Sequence, residues 1–377
     1  MLTPSPQGEG YGRVEIFNRK RGGTIYKMKK FLLPDGVNWY RANMHCHSTF
    51  SDGHYTPAEI KRLYMEQGYS VVAYTDHEAI FDHSELTDEN FVALTSSEYS
   101  VTEYRAHPEN VEGVDIPAWK MRKTIHLGVY SKDPHNTFHP AADEGSLGWW
   151  RSQGKLLDPI DCDGYAREYT KESLNETVKR LNENGFLVSL NHPNWSLMPL
   201  QDCLDIKGLW ALEILNYATE RETGGEYCPY IYDSMVRDGM YKLNCIMGDD
   251  NHNGGGSLDH SFGGSTFFGA NELTYESIIN AMEKGEFYCA SGKNPPRIDA
   301  LYVEDNVIKI DCSPATDVII TGLGRSFRSA KTEGEEICHA EFPLEKSDIM
   351  FRVTVRDKFG NNTHTHYYKV EDYFEER

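Results

Sequence analysis

No stretch of this 377-residue chain approaches the ~20 consecutive apolar residues that a membrane-spanning helix requires, which sets aside a helical membrane protein. Cysteine is present but unorganised. The eight residues, at 46, 162, 203, 228, 245, 289, 312 and 338, are scattered and form no Cys-x-x-Cys. Neither a disulfide framework nor a zinc finger is expected, and the cysteines within apolar runs read as buried thiols. Positive charge is scarce as well: 38 Lys and Arg stand against 58 Asp and Glu, a net charge of −20. A field of that sign repels polyanions unless bound cations or a local basic patch reverse it. Two or three divalent ions would add only about four to six charges. Long nucleic acid is therefore disfavoured, whereas a small anion, governed by local charge, is not. Internal repeats and low-complexity tracts are absent. A basic start followed by an apolar core and a small-residue cleavage site is also missing, making the cytoplasm the default expectation.

What the chain does carry is a series of short apolar runs, each with a histidine or a carboxylate. They are HCHSTFSD (45–52), YTDH (74–77), SSE (96–98), TIHLG (124–128), LNHP (190–193) and GDDNH (248–252). Side chains two apart on a strand share a face, so His45 and His47 can grip one ion while Cys46 points away. Asp250 and His252 repeat that spacing. In a closed parallel barrel the carboxyl ends of the strands converge on one rim, where ligands distant in sequence can meet around metal ions. Glu98, a carboxylate in an apolar run with no lysine nearby, reads as a ligand. His126 falls near the start of its run rather than the end, and taken by itself reads as a core histidine. Asp76 and His77 are adjacent and face opposite ways, so Asp76 is expected to orient a neighbour by hydrogen bonding. His54, His83 and His260 lie in loops beside the motifs, within conceivable reach of a substrate.

The length fits a barrel of roughly 250 residues plus a smaller partner. Residues 1–37 form an N-terminal arm with an expected hairpin, VEIFN and TIYKMKKFLL around the turn RKRGG, whose Arg19-Lys20-Arg21 reads as a solvated tip. Over 38–292 strands and helices alternate, which argues for parallel βα units. Thr56-Pro57 and Thr170 mark helix starts, and Gly68 and Asn184-Gly185 mark helix ends. Two long polar segments, from Tyr104 to Arg122 and from Ser131 to about Tyr169, read as decoration over the rim, with His107, His135 and His139 as surface residues. Arg105, Arg122 and Lys123 are candidate phosphate grips there, against the plainer reading of surface charge on a lid. After Asn294-Pro295-Pro296 the pattern becomes short alternating strands, a small β-sandwich over 293–377. Its THTH (363–366) reads as two solvent-facing histidines on an edge strand.

The order HxH, SDG, TDH, E, H, NHP and GDDNH resembles the polymerase and histidinol phosphatase (PHP) family over about residues 40–290. Each piece alone is weak, but the ordered set is specific. The resemblance implies an α/β fold, a distorted (β/α)7 barrel, with two or three divalent ions (Zn, Mn or Fe) on one rim. It assigns His45, His47, Glu98 and Asp250 to a first ion. Glu98 would bridge to a second held by His126 and His192, and a third would sit on Asp52, His77 and His252. The family commonly has histidine where Asp52 stands, which makes the third site weaker or differently selective. GDDNH stands in place of GSDAH, so register selects Asp250 and leaves Asp249 in a supporting or structural role. The implied activity is hydrolysis of a small phosphorylated substrate, a nucleotide or sugar phosphate, mono- or diester. A hydroxide bridging two ions would attack phosphorus, with Glu98, His192, Asp250 and His252 at the centre of the chemistry. Two alternatives stay open: a nuclease acting on nucleic-acid ends, and a metal-stabilised binding protein whose sandwich recognises a glycan or a protein.

Overall fold

Thr56 caps the helix Pro57–Glu66 through a complete capping box with Glu59, and Thr170 caps Lys171–Glu183 by accepting from the Ser173 amide, as the sequence predicts. Both helices are pinned at their starts and bury one stripe. Leu174, Val178 and Leu181 of the second join the core beneath the strands. The computed structural model describes residues 29–103, 122–154 and 161–375. The expected Arg19-Lys20-Arg21 turn, His107 and Arg105 lie outside them. Among the described residues, no helix is long and apolar enough to cross a membrane.

Seven strands form the barrel: β2 (Asn38–Asn43), β3 (Val71–Tyr74), β4 (Val92–Thr102), β5 (Thr124–Ser131), β6 (Phe186–Asn191), β7 (Ala211–Asn216) and β8 (Asn244–Gly248), following a short β1 (Lys30–Phe31). They pair in chain order from β2 to β8. Closure comes from the segments just past β2 and β8, where Cys46 bridges Asn251 in parallel. The Asp250 amide donates to His45 O (2.8 Å) and the His47 amide to Asn251 O (3.2 Å). One expectation needs correcting: the strands are not all parallel. β5 runs antiparallel to both β4 and β6, while the other neighbours around the ring are parallel. A reversed strand has its start, not its end, on the rim.

The strand β9 (Gly264–Ala270), which sequence reading passes over, is antiparallel to β2 and to β10 (Phe287–Ser291). Through β10 the barrel sheet continues into the C-terminal strands. In order these are β11 (Ile298–Glu304), β12 (Val307–Ala315), β13 (Asp317–Gly322), β14 (Phe327–Lys331), β15 (Ile337–Pro343), β16 (Met350–Arg356) and β17 (Asn362–His364). One sheet runs β1-β11-β12-β15; β13, β14, β16 and β17 extend the barrel sheet. Leu301, Ile308, Ile310, Val318, Val353 and Val355 fill the space between the two layers. The β1–β11 pairing recruits the tail of the N-terminal arm to this sandwich.

The THTH segment is not a solvent-facing edge. β17 lies between β10 and β16, and His364 is buried with its ring against Tyr227 and Arg352. A histidine alternation looks the same in sequence whether the strand is an edge or is covered. Arg352 makes a bidentate ion pair with Asp233 of the helix Pro229–Arg237, at 2.7 and 2.9 Å, tying that helix to the sandwich. Removing one partner strands a buried charge. Asp233→Ala is expected to lower stability by about 3 kcal/mol in urea unfolding; a change below about 0.5 kcal/mol would contradict this reading.

Candidate metal centre

The barrel closure sets the His45/His47 backbone alongside Asp250, and a second bridge pairs His77 with Glu98. Neighbouring backbones thus carry the motifs to one place. Alternation does the rest: His45 and His47 point to the rim while Cys46 packs with Ile60 and Tyr64 on the other side. Glu98 lies inside β4, not at its end, because β4 continues past its parallel pairing with β3 along the reversed β5. That reversal explains His126. The residue stands near the start of β5, opposite Ser100 and Asn191, and so on the same rim as the ends of the parallel strands.

Among the described residues three groups result, each with candidate ligand atoms within 4.8 Å of one another. His45, His47, Glu98 and Asp250 make the first; Glu98, His126 and His192 the second; His47, Asp52, His77 and His252 the third. Every residue expected as a ligand falls into one of them. Glu98 is the hub. Its Oε1 lies 3.1 Å from His45 Nε2, 3.2 Å from His126 Nδ1 and 3.1 Å from His192 Nε2. Its Oε2 lies 3.5 Å from His47 Nε2 and 3.3 Å from His77 Nδ1. Asp250 Oδ1 is 2.9 Å from His47 Nε2 and 3.2 Å from His45 Nε2. The third group sits at the mouth. The Asp52 side chain is 57% exposed, 3.4 Å from His252 Nε2 and 3.6 Å from His77 Nε2.

Burial alone would raise the Asp250 carboxyl, but the His45 and His47 rings overcome it and hold the group well below the usual carboxylate range. Glu98 behaves likewise, with burial opposed by His126 and His45. Burial pushes His45 down, yet Asp250, Glu98 and Glu213 together carry it well above its ordinary value. Two of the residues sit on backbone of positive φ, His192 at 25° and Asp250 at 53°, a conformation that surroundings must enforce.

Several supporting residues were missed in the sequence. Glu213, fully buried in β7, lies 3.1 Å from His45 Nδ1 and accepts from the His192 amide and from Asn216 Nδ2. Asn191 donates to Glu98 Oε1 (3.0 Å), Asn216 to Asp250 Oδ2 (3.0 Å), and Ser196 Oγ meets His192 Nδ1 (3.2 Å). A carboxylate inside the apolar run Ala-Leu-Glu-Ile-Leu was the available signal for Glu213. Asp76 fulfils its orienting role by accepting from the amides and hydroxyls of Ser48 and Ser51. Asp249 is structural: it takes the amides of Phe262, Gly263 and Gly264 and the Tyr64 hydroxyl, and burial raises its carboxyl to about 6. Gly264 has no alternative there, since a Cβ would stand 2.2 Å from Gly248 O.

Of the loop histidines, His83 and His139 are buried, not on the surface or facing a substrate. His83 packs against Tyr74 and Phe50, and His139 Nε2 accepts from the Ile80 amide. His135 is exposed beside Asp82, His54 is exposed, and His260 lies 3.9 Å from Glu222. Lys123 donates to Asp202 (3.1 Å), whereas Arg122 has a buried Nε without a hydrogen-bond partner among the described residues.

No family model matches the chain, and no curated protein does. Among solved structures it is similar to a two-domain protein from Bacteroides vulgatus containing a predicted PHP-like metal-dependent phosphoesterase. The identity is 12%, the TM-score 0.43, and the match covers 92% of this chain and 99% of that one. An amidohydrolase from Chromobacterium violaceum with bound sulfate and no metal is similar at 15% identity and a TM-score of 0.36, over 56% of this chain and 87% of that one.

Proposed function

We propose that the chain is a metal-dependent phosphoesterase that hydrolyses a small phosphorylated molecule, such as a nucleotide or sugar phosphate. The observation that carries this is Glu98, a fully buried carboxylate whose two oxygens are divided among five imidazoles. One carboxylate cannot satisfy five rings by proton sharing, but it can bridge cations that each take two or three of them. Among the described residues, Glu98 Oε2, Asp250 Oδ1 and His126 Nδ1 are buried and face other ligand atoms at 2.9 to 3.5 Å without a well-aligned hydrogen bond, which suits atoms reserved for ions. His45, His47, Glu98 and Asp250 would hold the first ion, Glu98, His126 and His192 the second, and Asp52, His77 and His252 a third. The mixed imidazole and carboxylate set suits Zn, Mn or Fe.

Bound divalent ions would lower the pKa of water and take up charge on the phosphoryl oxygens. The chain's own residues do the rest. Glu213 and Ser196 fix the tilt of the His45 and His192 rings through their Nδ1 atoms. Asp76 holds the turn after His47 in place. Lys123 is neutralised by Asp202. Purified protein should carry two or more equivalents of metal and hydrolyse a chromogenic phosphomonoester or diester. Chelation should abolish turnover, and Mn or Zn should restore it. Metal-loaded protein inert towards both ester classes would refute the reading.

Glu213 gives a graded test. Glu213→Gln keeps the side-chain shape but weakens the anchor on His45, and metal affinity is expected to fall about 10- to 100-fold in competition with a chelating dye. An unchanged affinity would remove Glu213 from the support of the site.

A further inference from the structure

Trp195 is an anomaly beside the candidate centre. Its side chain stands over the second ligand group, with ring centroids 5.1 Å from His192 and 5.6 Å from His126, yet the residue remains 43% exposed. Its neighbour Leu197 is 52% exposed. Scattered exposed apolar residues need no explanation, but a pair on one short turn at the edge of a buried polar cluster does.

The turn is held firmly. Glu226, itself buried, accepts from the Asn194 amide (3.2 Å) and the Trp195 amide (2.7 Å), and Asn194 Nδ2 donates to Gly225 O (2.7 Å). The Ser196 amide donates to His192 O (3.1 Å), closing the turn back on the ligand. Leu197 adopts a left-handed backbone, φ 58°, that a branched side chain disfavours. A carboxylate taken out of water and a strained leucine are unfavourable terms, set here against fixing one turn with its indole outward. An indole serving only to shield His126 and His192 would bury itself on them. This one stands at 85° to the His192 ring and 51° to the His126 ring and keeps much of its surface in solvent.

We infer that Trp195 is a specificity-determining residue that touches the substrate. Its exposed surface receives a flat apolar group esterified to the phosphate, so the chain favours aryl or heteroaryl phosphoesters over those of open-chain alcohols. The inference rests on the proposed phosphoesterase reading, because a phosphate held at the His126/His192 group puts its organic part beside the indole. Stacking on an aromatic face discriminates by ring area and planarity, not by hydrogen bonding.

The test compares kcat/KM for phenyl phosphate and glycerol phosphate in the metal-loaded wild type, Trp195→Ala and Trp195→Phe. Comparing each variant's ratio with that of the wild type cancels the different intrinsic reactivities of the two esters. The phenyl-to-glycerol ratio should fall about tenfold in Trp195→Ala and recover most of the loss in Trp195→Phe. Calorimetric titration should show phenyl phosphate binding weakened by a similar factor in Trp195→Ala. An unchanged ratio and unchanged binding overturn the role of Trp195 and leave the phosphoesterase reading standing. Wild type that turns over neither these monoesters nor their diester counterparts, diphenyl and diglyceryl phosphate, overturns that reading, and the inference with it; where only diesters are cleaved, the same ratio is read on them.

Discussion

Asp250→Asn is expected to lower kcat/KM for a phosphoester by about a thousandfold or more, a barrier increase of about 4 kcal/mol, while leaving the fold intact. Asp250 Oδ1 sits between His45 Nε2 (3.2 Å) and His47 Nε2 (2.9 Å), with no well-aligned hydrogen bond among the described residues. An amide there has the same size but neither the charge nor the second acceptor that a cation requires. Position 250 also has a positive φ, 53°, which asparagine adopts as readily as aspartate, so backbone strain is not the cause of any loss. Asn216, which donates to Oδ2, still finds a carbonyl oxygen in the variant. Circular dichroism of the metal-free variant should match that of the metal-free parent, while its melting temperature falls because His45 loses a carboxylate that favours its charged form. Turnover within tenfold of wild type would count against Asp250 as a ligand.

His45 and His47, Asp250 and His252, and Glu98 were legible as candidate ligands because their chemistry is local: a histidine two residues from another, or a carboxylate in an apolar run, shows itself without any fold, whereas Asp52, His126 and the grouping into three sites came only from the PHP resemblance. The ring of strands followed from alternating patterns capped at Thr56 and Thr170. Direction was not legible. The long connection after β4 hides whether the chain returns parallel or antiparallel, and the position of His126 at the start of its run was the one sign that β5 is reversed. Burial of single polar residues was equally hidden. His139 and His364 look like surface histidines in polar or alternating sequence, and only the packing of Ile80 and Arg352 against them shows otherwise. Glu213, Asn191 and Asn216 escaped notice because they hydrogen-bond to the candidate ligands, a role with no spacing rule. They are found only once the ligand rings are in place and each spare ring nitrogen or carboxylate oxygen is asked for its partner.

Removing the ions should destabilise the protein more than any single substitution. An ion at a thousandfold excess over its Kd contributes about 4 kcal/mol to the folded state, so two contribute about 8 kcal/mol. With an unfolding entropy of about 2.1 cal/mol/K per residue, the 377 residues give about 0.8 kcal/mol/K. The loaded protein should therefore melt about 10 °C above the chelated one. The gap should also widen with pH. Without ions, His45 and His192 are held above their ordinary value by carboxylates that outweigh burial. Groups raised in this way stabilise the fold below their unfolded pKa near 6.5, and that contribution is lost as pH rises through the folded values. Ions require the same rings deprotonated, so metal binding strengthens over the interval in which the metal-free chain weakens. Melting curves with metal and with chelator between pH 6 and pH 9 should diverge as pH increases. Parallel curves, or a gap of less than about 2 °C throughout, would mean that these imidazoles and carboxylates satisfy one another as a protonated network and hold no ion.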